Sequence, residues 1–301
     1  MRRRDFFISG AAGAAISISN PAGAAETRRP NVLVLLGHDA PGLASEGTTF
    51  TRCYATRPSH AFSLASLITG KYPHACGVRR EGQTVALDQP SIFRQLTVAG
   101  YAMKIGSQPF FLLDESQDGR VLELLDDQPG LAQDTLVLST ATRGAEDDSP
   151  AETSVRVPLV IRFPGRFRRG VKDDLLLSNA DLMPSVLALC GAEIPDGVQG
   201  RNLAETMRTG EGERPESVYS YGQLGETGEW RMIVRGLDKL VVNSKMETTH
   251  LYNLGQDPSE ERNLATEIGA GRLRDELKAH LRSWMKKLGD GVDPSSGLKV
   301  R

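Results

Sequence analysis

Residues 31–39 read Asn31-Val-Leu-Val-Leu-Leu-Gly-His-Asp39. Between Asn31 and Gly37 no position is polar, so the run lacks the alternation of a strand with one wet face. It fits a strand buried on both sides, as in a parallel sheet covered by helices. Gly37 ends the run, and His38 and Asp39 place an imidazole and a carboxylate at the carboxyl end of that strand. Open α/β sheets build their sites at that end.

Outward from this stretch, apolar runs of strand length alternate with segments of helical period. Residues 59–69 read as a helix, and Pro90–Gly100 as a short one with Pro near its start and Gly at its end. Tyr101–Ile105, Thr135–Thr140 and Val157–Arg162 read as strands, Gly119–Leu125 and Asp181–Cys190 as helices. This order predicts an α/β fold, a largely parallel sheet flanked by helices. The last third differs: Val218–Tyr221, Trp230–Arg235, Lys239–Asn243 and His250–Asn253 are short strands between Gly, Asp and Asn turns. Their spacing predicts a small antiparallel sheet. A final helix, Ala270–Leu288, carries an apolar stripe through Leu277, Leu281 and Leu288 and is expected to close that sheet. The expected organisation is a leader over 1–24, an α/β domain over 25–215 and a C-terminal antiparallel subdomain over 216–301.

Of 301 residues, 39% are hydrophobic and 25% charged, with a formal net charge of −2. That supplies a sizeable core and no concentrated basic face, which argues against nucleic acid as a partner. The basic opening MRRRDFF, the apolar run ISGAAGAAISIS and the small residues Ala22-Gly-Ala24 follow the order of a signal peptide. Arg3-Arg4-Asp5-Phe6-Phe7 has the twin-arginine arrangement, which predicts export by that machinery to the periplasm or beyond. The other reading is a cytosolic chain with a disordered basic start. No segment has the length and apolarity of a membrane span. Cys53, Cys76 and Cys190 lack CxxC spacing and form neither a zinc site nor a disulfide framework, although one bridge after export stays open.

The motifs, taken in order, resemble the sulfatase family within the alkaline-phosphatase-like superfamily. Arg29-Pro-Asn-Val-Leu-Val-Leu-Leu36 followed by Asp39 looks like the family's opening strand, which ends in paired metal-binding aspartates. Leu43–Ala55 looks like the segment leading to the nucleophile, and Ser66-Leu-Ile-Thr-Gly-Lys-Tyr-Pro-His74 like the helix and loop behind it. Val155–Gly165, Asp181-Leu-Met-Pro-Ser185, Val198-Gln-Gly-Arg201 and Leu251–Leu264 are similar to later family signatures. The motifs stand closer together than in the family, as though intervening segments were missing.

The resemblance implies sulfate-ester hydrolysis by a formylglycine hydrate made from Cys or Ser in Cys/Ser-x-Pro-Ser-Arg. It also implies a divalent cation, usually calcium, and Lys, Arg and His groups that stabilise charge and protonate the leaving oxygen. Two registers align the nucleophile. Counting back from Thr69-Gly70 puts His60 at its position, with Phe62 for Pro and Leu64 for Arg. Counting forward from Pro58-Ser59 puts Thr56 there and His60 at the Arg, with the four residues Phe62–Ala65, close to one helical turn, as an insertion. The second keeps more of the motif, so Thr56, Ser59 and His60 are the catalytic candidates, Lys71 the substrate contact, and formylglycine is not expected.

Asp39 and His38 are the metal candidates, standing where the resemblance implies two aspartates. The second metal pair falls on Thr142-Arg143, where a guanidinium repels a divalent cation. Calcium takes roughly six to eight oxygens, which this set does not offer, unless His38 recruits a softer ion. The Gly-Lys-x-His motif becomes Gly106-Ser107-Gln108-Pro109, and a family lysine falls near Asp147-Asp148.

Each candidate also has a plain structural reading. His60 serves in packing or capping, Ser59 as a helix N-cap, His38-Asp39 as a polar strand end and Asp181 as a cap of its helix. Asp257-Pro258 reads as turn chemistry and Glu260-Glu261 as a solvated face. The expectation is a sulfuric ester hydrolase by lineage with activity reduced or lost, its partner a sulfate ester or sulfated glycan. Its alternatives are an active metal-dependent sulfate or phosphate ester hydrolase using Thr56, a non-catalytic sulfated-glycan-binding module, and a truncated product that folds poorly.

Overall fold

The computed structural model describes residues 29–290, except 38–40, 79, 81, 87, 106–107, 116–119, 145–146 and 224–227. The expected leader and the metal candidates His38 and Asp39 lie outside the described residues.

The opening run forms β1 (Asn31–Leu36), buried at every position. Val32, Val34 and Leu36 pack on one face of its sheet, and Leu33 and Leu35 on the other. Both faces are covered, which is why the run is apolar throughout. The chain continues through α1 (Pro41–Glu46), β2 (Thr48–Tyr54), α2 (His60–Thr69), α3 (Ile92–Val98), β3 (Phe111–Asp114), α4 (Arg120–Asp126) and α5 (Pro129–Gln133). After these come β4 (Thr135–Thr140), α6 (Glu152–Val155), β5 (Arg156–Arg162), β6 (Val171–Ser178), α7 (Leu182–Leu189) and α8 (Ala204–Thr209).

These strands form a six-stranded sheet in the order β3-β1-β4-β5-β2-β6. β3, β1 and β4 are mutually parallel, as are β2 and β6; β5 is antiparallel to both its neighbours. One face carries α2, α3 and α7 through Leu67, Leu96, Met183 and Leu187; the other packs Leu43 of α1 and Leu125 of α4. The expected largely parallel sheet flanked by helices is present.

One expected strand does not form. Over Tyr101–Ile105 only Ala102 pairs, in a single parallel bridge to Phe110, and Phe111–Asp114 takes the place beside β1. Phe110 and Phe111 are each 1% exposed, whereas Met103 and Ile105 stay at 39% and 37%. Two phenyl rings withdraw more apolar area from water, so they win the slot.

The last third builds β7 (Ser217–Gly222), β8 (Trp230–Arg235), β9 (Asp238–Asn243) and β10 (Thr248–Asn253), all antiparallel in the order β10-β9-β8-β7. The helix α9 (Gly271–Leu288) lays Leu277, Leu281, Met285 and Leu288 on Tyr219, Ile233 and Leu240 of this sheet. The opposite face packs Val218, Met232 and Val241 against Tyr54 and Leu176 of the large sheet. Cys53, Cys76 and Cys190 are free and buried, and burial pushes the Cys190 thiol up to about 11. No helix among the described residues is long and apolar enough to cross a membrane.

Candidate functional site

The carboxyl end of β2 delivers the chain into the turn 55–59, which is pinned between the two sheets. Ala55 donates its N–H to Val155 O at 2.8 Å and accepts at its carbonyl from Ser220 Oγ at 2.7 Å. Thr56 is fully buried. Its hydroxyl lies 2.7 Å from Ser66 Oγ, its N–H donates to Asn179 Oδ1 at 3.0 Å, and its carbonyl accepts from the Tyr221 N–H at 3.0 Å. Asn179 also donates to Ser63 Oγ at 2.7 Å. Ser63 and Ser66 stand three residues apart on α2 and so share a face. None of these partners is a base; together they make Thr56 part of the floor beneath α2.

Toward the surface the groups change. His60 opens α2, is exposed, and sets Nδ1 3.1 Å from Thr142 Oγ1 on the loop after β4. Ser59 occupies the N-cap position in extended backbone, but its side chain makes no capping bond to the helix. The capping role expected of it is therefore not realised. Arg57 is 7% exposed. Its Nε and Nη2 reach Asp148 Oδ2 at 3.0 and 2.7 Å, and its guanidinium lies 3.8 Å from the Phe62 ring centroid. The Asp148 carbonyl accepts from Trp230 Nε1 at 3.0 Å, which ties this loop to β8.

Lys71 is not brought to this mouth. It follows the far end of α2, roughly 16 Å from His60 at ~1.5 Å per residue, and its Nζ donates to Gln89 Oε1 at 3.2 Å. The Thr-Gly-Lys turn serves packing. Gly70 caps α2 at φ 64°, and a Cβ there would meet Val198 Cγ1 at 2.8 Å. Its carbonyl accepts from the N–H groups of Gln199 and Gly200, each at 2.9 Å.

At the end of β2, joined to Tyr54, lies an ionic cluster. Lys239 is fully buried and reaches Glu152 Oε1 at 3.1 Å and Glu260 Oε1 at 2.6 Å. Glu260 Oε2 accepts from the Glu152 N–H at 2.8 Å, and Tyr54 donates to Glu152 Oε2 at 3.1 Å. Burial first, and the Glu152 charge second, push the Tyr54 phenol up and keep it a donor. Glu260 is thus not part of a solvated face; a buried ammonium draws it inward. Asp181 stands at the N-cap of α7 as expected, but its side chain makes no capping bond to that helix. It accepts from the Ser178 N–H at 2.8 Å, closing the 3-10 turn before that helix, and pairs with Arg201 at 2.7 Å.

Of the expected site residues, the structure joins Thr56, Ser59 and His60 in one turn and leaves Lys71 apart. Arg57 and Asn179 carried no expected role, and Asp148 entered only as the place where a family lysine falls. Arg57 stands at the variable position of the motif, and its charge beside an aromatic at Phe62 was the available signal.

The described donors after β4 do not fit calcium. Thr142 Oγ1 lies 3.1 Å from His60 Nδ1, Arg143 offers no side-chain oxygen, the Asp147 carboxylate accepts from Ser154, and the Asp148 carboxylate is held by Arg57. Among the described residues no group of three or more His, Cys, Asp and Glu is placed to hold a metal, and a hard dication requires several such oxygens.

Comparison with known proteins agrees with the architecture. Residues 150–287 match the family described as N-sulphoglucosamine sulphohydrolase, C-terminal. An ulvan-active sulfatase of Formosa agariphila is 25% identical over 267 residues, spanning 82% of this chain and 52% of that protein. An endo-4-O-sulfatase of Bacteroides thetaiotaomicron is 44% identical over 97 residues, 29% of this chain and 19% of that protein. The chain thus spans about half or less of these curated relatives. A solved structure described as bound to its substrate D-glucosamine-2-N,6-O-disulfate superposes with a TM-score of 0.79 at 15% identity, covering 90% of this chain and 100% of the other. A 2-O glycosaminoglycan sulfatase superposes with a TM-score of 0.77 at 17% identity, covering 91% and 95%. These likenesses show the fold, alkaline-phosphatase-like with a separate antiparallel sheet. Together with the match over 150–287, the sulfatase relatives make the chain similar to sulfatases along most of its length.

Proposed function

We propose that the chain is a sulfuric ester hydrolase by lineage whose hydrolysis is reduced or lost. The observation that carries this reading is the state of the nucleophile turn. The Thr56 hydroxyl is buried against Ser66, and Asp148, the carboxylate held in the turn's own hydrogen-bond network, is neutralised by Arg57. A metal-activated oxygen needs carboxylates to hold the ion and an open path for in-line attack. Export through the twin-arginine-like Arg3–Phe7 and a sulfated partner belong to the same proposal. The test is metal analysis of the full chain together with an aryl sulfate and aryl phosphate panel over a calcium titration. The expected result is no stoichiometric divalent ion and no turnover above background. Calcium-dependent turnover that disappears in Asp39→Ala overturns it.

A second reading, a non-catalytic module that holds sulfated glycan, draws support from the solved neighbour described with a sulfated glucosamine as its substrate. Glycan-array binding without turnover is its expected signature.

A further inference from the structure

We propose that Arg57 is an oxyanion site held shut from within by Asp148, whose carboxylate stands where a sulfate group would sit. The inference rests on the sulfated-ligand reading above. Arg57 is a built recognition group and not a surface charge. Its side chain is 8% exposed against 20% for Asp148, so the aspartate is the less deeply buried partner, although its Oδ1 is buried. The Phe62 ring at 3.8 Å fixes the plane of the guanidinium and strips water from one face. Two of its donors, Nε and Nη2, converge on Asp148 Oδ2 at 3.0 and 2.7 Å, presenting the edge that binds carboxylate, sulfate or phosphate alike.

A buried guanidinium left without an anion is strongly unfavourable. Either Asp148 or a ligand must therefore satisfy Arg57, and the two compete for one edge. The surroundings allow the exchange. Asp148 lies on the loop between β4 and α6, anchored through its backbone carbonyl to Trp230 Nε1, so the carboxylate can leave while the loop stays in place. The neighbouring Asp147 carboxylate is turned toward Ser154 and does not face Arg57. His60, three residues on and exposed at the start of α2, sets Nδ1 3.1 Å from Thr142 Oγ1.

The test measures unfolding temperature and calorimetric binding on the full chain. The probes are inorganic sulfate, inorganic phosphate, a 6-sulfated and an unsulfated monosaccharide, at matched ionic strength in chloride. Expected is at least a tenfold gain in sulfate affinity in Asp148→Ala over the unmodified chain, abolished in Asp148→Ala/Arg57→Gln. Asp148→Asn keeps the loop's shape while removing the charge, and the same gain is expected there. A folded Asp148→Ala with no gain overturns the proposal, as does a gain that survives loss of Arg57. Failure of both Asp148 variants to unfold cooperatively also overturns it, since Asp148 is then a structural counter-ion. Binding of phosphate and sulfate without the sulfated sugar leaves the oxyanion site standing and removes the sulfate-ester reading.

Discussion

Two ionic clusters flank the end of β2 and are put to opposite uses. On the inner side, Lys239 at 0% and Glu152 at 5% side-chain exposure are sealed between the sheets with Glu260, and they join β9, α6 and the loop after β10. On the outer side, Arg57 and Asp148 form a pair in which the aspartate side chain is the more exposed, 20% against 8%. The inner cluster sets two carboxylates against the Lys239 ammonium, with the Tyr54 phenol as a further donor and the half-exposed Arg156 guanidinium 3.8 Å from Glu152 at its edge. In the outer pair the Arg57 guanidinium is held by the Asp148 carboxylate, and among the described residues no group of three or more His, Cys, Asp and Glu is placed to hold a metal. The first cluster ties the two sheets together, and the second ties the turn after β2 to the loop before α6.

The largest effect should come from breaking the inner cluster. Lys239→Met removes the buried cation, leaving Glu260 without it and Glu152 with only the half-exposed Arg156 at 3.8 Å, which costs about 3–5 kcal/mol when one partner of a buried pair is deleted. Urea unfolding of the full chain measures it. A loss below about 1 kcal/mol would mean that water reaches this cluster and that the contrast with the mouth is wrong.

Thr56 decides how the outer region is read. If its hydroxyl belongs to the floor, Thr56→Val leaves Ser66 Oγ short of a partner and destabilises by about 1–3 kcal/mol. A hydroxyl facing the mouth as a nucleophile would give almost no change in urea midpoint. His60→Ala is the control at the exposed end of the same helix, with a change within about 0.5 kcal/mol.

How far the sequence carried the fold and the site follows from the same distinction. β1 and β4 were legible because both of their faces are covered and nothing polar interrupts them. β2 and β6 were not, because their polar residues are satisfied by distant groups. Thr48 donates to Arg168 O at 2.8 Å, and Asp173 is held by Arg168 and Arg214. Tyr101–Ile105 has strand character by itself and lost its place to Phe110–Phe111, a competition that local pattern does not contain. The turn 56–60 was legible as a motif, while its partners were not. Asn179 is 123 positions from Thr56, Asp148 is 91 from Arg57, and Lys239 is 87 from Glu152. Glu260 read as a solvated residue because no neighbour in sequence reveals a buried lysine.

The smallest effect tests the inner cluster from its rim. Burial first, and then the Lys239 charge, hold the His250 imidazole below its ordinary value of 6.5, against an opposing pull from Glu260. The folded state therefore binds this proton less readily than the unfolded chain. Between the lowered folded value and 6.5 the unfolded state carries more protons, so stability rises with pH across that window. The contribution is fully present above 6.5 and is lost as pH falls through the folded value. His250→Gln should flatten the stability profile there and leave it unchanged above pH 7. In Lys239→Met the ammonium no longer opposes protonation while Glu260 still favours it, so the window should narrow. A profile equally steep in all three proteins would show that His250 does not sense the cluster, and that the inner charges are more screened than their burial implies.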